Sequence, residues 1–263
     1  MTLGPIGLHG GGELVPGDEP FLRALLEAAG GPARTRTASR VPGSVEKSEA
    51  DHRRIVILPT AAAGERPELA VAHARDAFGR IGVELGVSTR VVGAMVLDAR
   101  SAGDPRWAAA IAGADLIYLP GGDPGLVAGV LRGTLAAGAM LAARARGATV
   151  AGASAGAMAL AGWTWTRSGG TAGLGFVPGL VVVPHAGRFA GTDLGGARAW
   201  LGDGLPDGTG LLALDERTGV LSAAGSAPSR AWRVAGAGRA TWLPAGTTEP
   251  VVARDGDDLV LDA

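Results

Sequence analysis

The chain has 263 residues, 47% hydrophobic and 19% charged, with 24 Lys and Arg against 25 Asp and Glu, for a formal net charge of −1. So balanced a surface offers no basic field to phosphate backbones or acidic membranes, and it excludes nucleic acid and membranes from the expected partners. The lack of cysteine removes disulfides, thiolate metal sites and a cysteine nucleophile together.

The length and even composition predict one large α/β domain over residues 1–263. The opening Met-Thr-Leu-Gly-Pro-Ile-Gly-Leu lacks the basic segment and long apolar run of a secretory signal, so a cytoplasmic location is expected. Strand-like apolar runs at 5–8, 54–59, 89–92, 115–119 and 149–151 alternate with helical runs at 20–29, 67–80, 105–112 and 134–145. Three of the helical runs open on proline, at Pro20, Pro67 and Pro105, where a missing N–H costs nothing. This alternation predicts a mostly parallel sheet with helices on both faces. Residues 30–52, rich in Pro, Ser, Thr and Arg without an apolar period, read as a long surface loop and a candidate lid.

The uncharged stretch near Ser154 approaches membrane-spanning length, but Gly, Ala, Ser and Thr dominate it, so a buried strand and helix are expected. Short strands are then predicted at 180–183, 211–214, 220–223, 231–234 and 240–243. The tail 251–261 alternates about Asp255-Gly256 as a hairpin would.

Gly152-Ala-Ser154-Ala-Gly156 joins the strand at 149–151 to an alanine-rich helix. Small residues on both sides allow a tight reversal that projects a strained serine over the sheet edge. The helix N–H groups then face the hydroxyl, and the N–H of Ala155 is the natural first donor to an oxyanion. Gly121-Gly122, after the strand at 115–119, is placed to supply a second donor from Gly122. Two plainer roles compete: an ordinary helix cap for Ser154 and a simple strand-to-helix turn for the glycine pair.

A serine nucleophile needs a base, and the chain has His9, His52, His73 and His185. His185 follows Leu180-Val-Val-Val183 and so emerges at a strand end. His52 and His73 suit a loop margin and a helix, whereas His9 lies near enough to a strand end to remain a candidate. No Asp or Glu lies between Ser154 and His185, so the Ser, acid, His order of α/β-hydrolases is excluded with this histidine. Asp215 and Glu216, after the apolar run 211–214, are the acids that can orient it.

Gly10-Gly-Gly-Glu13, Leu58-Pro-Thr-Ala61, Tyr118-Leu-Pro-Gly-Gly-Asp123, Gly152-Ala-Ser-Ala-Gly-Ala157, the run from Gly173 to His185 and Leu214-Asp-Glu-Arg-Thr218 occur in this order. Together they resemble the serine peptidase family of cyanophycinase and the aspartyl dipeptidase, and the cyanophycinase branch more closely. The resemblance implies a class I glutamine amidotransferase-like, flavodoxin-like three-layer fold with a β-rich C-terminal part. It also implies a homodimer, and Ser154 as nucleophile, His185 as base and Glu216 as acid. Asp123, Pro124 and Arg188 fall at substrate-binding positions. In cyanophycinase-like sequences glutamine follows Gly-Gly-Asp, and Asp-Gln-His-Phe precedes an arginine-rich stretch. Here Pro124 and Val183-Pro184-His185-Ala186 stand instead. This more apolar wall points to a small peptide or amide other than a β-linked Asp-Arg dipeptide.

The expected function is a serine hydrolase, specifically a peptidase, that needs neither metal nor organic cofactor. A non-catalytic binding protein is one alternative. An amidotransferase-type partner domain is another, weakened because that chemistry uses a thiolate.

Overall fold

A computed structural model describes residues 2–30, 52–188, 194–201, 204–225 and 231–261. The predicted 30–52 loop lies outside the described residues except at its two ends. The N-terminal part runs β1 (Ile6–His9), α1 (Glu19–Ala28), β2 (His52–Ile57), α2 (Pro67–Leu85), β3 (Ser88–Gly93), α3 (Ala99–Ala102), α4 (Pro105–Ala112) and β4 (Leu116–Leu119). Next come α5 (Pro124–Leu131), α6 (Leu135–Ala145), β5 (Thr149–Ala153), α7 (Ala155–Leu160), β6 (Trp163–Thr166), β7 (Gly169–Ala172) and β8 (Leu180–Val183). The remainder comprises α8 (Leu194–Leu201), β9 (Gly210–Leu214), β10 (Thr218–Ser222), β11 (Ala231–Gly236), β12 (Ala240–Leu243), β13 (Val251–Ala253) and β14 (Asp258–Val260).

The main sheet has eight strands in the order β14-β11-β10-β1-β5-β4-β2-β3. From β1 to β3 all pairings are parallel, and the C-terminal strands extend the sheet antiparallel from β1. Period-two alternation sends each strand's residues to both faces. Val56, Ile117, Leu119 and Val150 enter one core, while Ile55, Ile57, Leu116, Tyr118 and Ala151 enter the opposite one. Helix α1 covers the second core with Phe21, Leu22, Leu25 and Leu26, a spacing that places all four on one helical face. Gly86, at φ 67°, closes α2 in the left-handed conformation. Asp98, Asp104 and Thr134 cap the helices that follow them.

A second sheet, β13-β12-β9-β8, pairs β8 parallel to β9 and the rest antiparallel. Its third apolar cluster joins Trp163, Val181, Leu194, Leu211 and Leu243. The expected tail hairpin does not form. The chain turns at Arg254–Asp257, where Arg254 N–H donates to the Asp257 side chain, but β13 joins β12 and β14 joins β11 in different sheets. Alternation identified the two strands without identifying their partners, which lie across the fold. The sequence reading also passed over α5 and the β6–β7 hairpin. Gly170 in that hairpin lies under the Trp163 ring, where an added Cβ would meet Cζ2 at 1.7 Å. Among the described residues no single helix is long and apolar enough to cross a membrane.

Candidate active site

Parallel strands deliver their C-terminal ends to one sheet edge, where chain reversals gather side chains from distant parts of the sequence. In register, Leu119 lies opposite Gly152 and His9 opposite Ala153. The loops after β1, β4 and β5 therefore converge, and Ser154 N–H donates to the His9 carbonyl at 2.9 Å. The tight packing explains the glycines around the serine. A Cβ on Gly152 would lie 2.4 Å from the Gly156 carbonyl carbon, and one on Gly156 would lie 2.1 Å from the Leu119 oxygen.

Ser154 holds φ 47° and ψ −115°, and its side chain makes no capping bond to α7. Its Oγ meets His185 Nε2 at 2.9 Å, and His185 Nδ1 meets Glu216 Oε1 at 2.7 Å. With the ring proton on Nδ1, the imidazole donates to Glu216 and is free to accept from Ser154. The bond from His185 holds the Glu216 carboxyl below its ordinary range; desolvation opposes it, and the Arg188 guanidinium, 2.7 Å from the same Oε1, adds to it. About a third of the His185 and Glu216 side chains is exposed, at 32% and 30%. Among the described residues, the non-glycine positions with positive φ are Leu14, Ser154, His185 and Arg217, and all four lie in or beside this arrangement. Such strain persists where the surrounding structure over-determines it, commonly at functional sites.

The other titratable candidates have different surroundings. Asp215 accepts from Arg239 N–H at 2.9 Å and from its Nε at 3.3 Å, so it faces away from the imidazole. His9 is fully buried, its Nδ1 accepting from Gly11 N–H at 3.3 Å. Its Nε2 stands 2.8 Å from Asp18, at ion-pair distance without the alignment of a hydrogen bond. His52 Nδ1 meets Ser88 Oγ at 2.6 Å, and His73 is exposed on α2. Neither ring is beside Ser154.

Gly122 is exposed at the sheet edge with φ 144°, and a Cβ there would lie 2.3 Å from the Ala61 oxygen. Asp123 caps α5 by accepting from Gly125 N–H at 2.8 Å, and Pro124 occupies the first helical turn. Val183 is half-buried against the third cluster, with Trp165 nearby in it. Sequence reasoning gave no site role to Gly11, Gly12 and Glu13. Gly11 lies against the His185 ring, Gly12 against Glu216, and Glu13 reaches Gly121, whose N–H donates to it at 2.7 Å. Their run of three glycines before an acid was the available signal. A cavity of about 290 Å³ lined by Arg54, Arg90 and residues of α4 is remote from this edge and holds no nucleophile.

Among known proteins, a peptidase from an acI-B1 actinobacterium has a similar structure, with a TM-score of 0.74 at 23% identity over 99% of this chain and 98% of that one. A putative peptidase E protein from Listeria monocytogenes EGD-e is similar with a TM-score of 0.52 at 13% identity, over 96% of this chain and 98% of that one. At these identities the likeness establishes the fold. No curated protein matches. Residues 28–197 match the model of peptidase family S51, which spans well over half of the sequence. The chain belongs to peptidase family S51.

Proposed function

We propose that this protein is a serine hydrolase that cleaves a peptide or amide bond through an acyl-enzyme on Ser154. The observation that carries the reading is the continuous relay from Ser154 Oγ to His185 Nε2 at 2.9 Å and from His185 Nδ1 to Glu216 Oε1 at 2.7 Å. His185 takes the serine proton as Oγ attacks the carbonyl carbon. Glu216, kept ionised, holds the ring's orientation and stabilises the imidazolium that forms. The tetrahedral oxyanion is held by the N–H groups of Gly122 and Ala155. His185 returns its proton to the leaving amine, and water attacks the acyl-enzyme with His185 again as base.

A Ser154 hydroxyl within hydrogen-bond reach of His185 counts against a binding protein without turnover, the alternative that the altered residues beside His185 suggest. The amidotransferase alternative meets a chain without cysteine. Specificity follows from the wall beside the base, where Val183 and Pro184 favour an apolar substrate flank over a strongly polar one. A panel of dipeptides, β-aspartyl ones included, incubated with the wild type and Ser154→Ala tests the proposal. Hydrolysis by the wild type alone is expected, and equal hydrolysis by both would refute it.

A further inference from the structure

The loop of residues 10–18 contacts every part of the site, although no step above uses one of its side chains. The Gly10 carbonyl accepts His185 N–H at 2.7 Å, and the Gly11 carbonyl accepts Arg217 N–H at 2.8 Å, beside the acid Glu216. The fully buried Asp18 anchors the far end, its Oδ2 accepting Leu14 N–H at 2.8 Å. Between these anchors sits Glu13, half-buried, with Gly121 N–H donating to its Oε1 at 2.7 Å across 108 positions of sequence. A methyl group placed on Gly121 would touch both Glu13 Oε1, at 2.7 Å, and Ser154 Cβ, at 3.2 Å. The carboxylate and the serine thus flank the same side of Gly121, yet among the described residues the carboxylate meets no cation.

Gly121 N–H is committed to Glu13, which leaves the next N–H, that of Gly122. The peptide on one side of the Gly121–Gly122 unit is pinned by Glu13. The one on the other side is pinned where Asp123 N–H donates to the Ala61 carbonyl at 2.8 Å. The peptide carrying Gly122 N–H lies between two fixed neighbours, and freeing either one lets it turn. Preorganised donors act only while they point where charge develops, so this orientation carries part of the rate.

We propose that Glu13 is a positioning residue for the oxyanion hole: its carboxylate oxygen, acting as an acceptor, holds the Gly121–Gly122 segment so that Gly122 N–H faces the tetrahedral oxyanion. This rests on Ser154 being the nucleophile. An acceptor role depends on an oxygen at the right reach and not on charge. Glutamine therefore preserves it, whereas alanine and the shorter aspartate do not.

The test uses the full chain as wild type, Glu13→Gln, Glu13→Ala and Glu13→Asp. It measures the rate of fluorophosphonate labelling at Ser154, protection from labelling by phenylboronic acid as a tetrahedral mimic, and the thermal unfolding midpoint. Glu13→Ala and Glu13→Asp should label about 10- to 100-fold more slowly and bind the boronic acid correspondingly less well, with Glu13→Gln within about 3-fold of wild type. Should Glu13→Ala fail to fold, Glu13→Asp against Glu13→Gln makes the same comparison. Wild-type rates in Glu13→Ala or in Glu13→Asp, or a Glu13→Gln as slow as Glu13→Asp, would overturn the proposal while leaving Ser154 as nucleophile. A wild type that does not label at Ser154 would overturn the nucleophile reading, and this role with it.

Discussion

The backbone of Gly11 packs close against the imidazole of His185: a Cβ built on Gly11 would stand 2.2 Å from Cε1 and 2.6 Å from Nε2 of the ring. Nε2 is the ring atom that meets Ser154, and Gly11 itself has φ +100°, a conformation that side chains rarely adopt. Gly11→Ala should therefore push the imidazole off the serine and lower kcat by about 100-fold or more, because small displacements of reacting groups are that costly. Comparing kcat with the urea midpoint separates a moved base from a lost fold. Wild-type kcat in a folded Gly11→Ala would show that the ring tolerates displacement.

The two neighbouring acids should behave very differently. Glu216 meets His185, whereas Asp215 meets Arg239. Glu216→Gln is expected to lower kcat by about 1,000- to 10,000-fold, as loss of the carboxylate partner does in other serine triads. Asp215→Asn should cost far less. Equal losses in the two variants would contradict the assignment of the acid.

The pH dependence follows from the depressed Glu216 carboxyl. With its folded pKa below the unfolded one, the stabilisation from its bonds to His185 and Arg188 is fully present above the ordinary carboxylate pKa and is lost as pH falls through the depressed value. Arg188→Ala removes one of the causes, so the Glu216 pKa rises toward its ordinary value. The acid limb of stability, followed by unfolding across acidic pH, should move to higher pH in the variant. An unmoved limb would show that Arg188, whose side chain is 71% exposed, is screened too well to matter.

Gly156 is held to glycine by packing. Its added Cβ would strike the Leu119 carbonyl oxygen at 2.1 Å, and backbone cannot swing aside as a flexible side chain can. Gly156→Ala should destabilise the protein by about 2 kcal/mol or more, as overpacking of a tight contact does. Urea unfolding checks this, and an unchanged midpoint would argue against the tight strand-helix contact.

How much of this was legible in the sequence depended on how local the information is. The strand, turn and helix about Ser154 were readable because Thr149–Ala153, Gly152, Gly156 and the alanine-rich α7 are contiguous. The absence of acids between Ser154 and His185 excluded that interval, and the acidic pair at the end of a later apolar strand supplied the candidates, but choosing Glu216 over Asp215 from the residues alone was impossible. Both follow the same strand, and the partner that takes up Asp215, Arg239, lies 24 positions further along the chain. Gly11 and Glu13 were not legible because their partners, His185 and Gly121, are distant in sequence and the loop has no periodicity. Helix α5 was hidden by its short Pro124-Gly-Leu-Val start, and the partners of β13 and β14 by the fact that alternation encodes a face without encoding a neighbour.

A Ser154 hydroxyl activated by His185 should react covalently with a phosphorus electrophile. Native protein treated with a fluorophosphonate and examined by intact mass and peptide mapping should gain one adduct, on Ser154. Ser154→Ala should gain none, and His185→Ala should label far more slowly. A folded wild type that stays unlabelled by small, accessible probes, or a Ser154→Ala that labels as fast as wild type, would show that Ser154 is not the nucleophile.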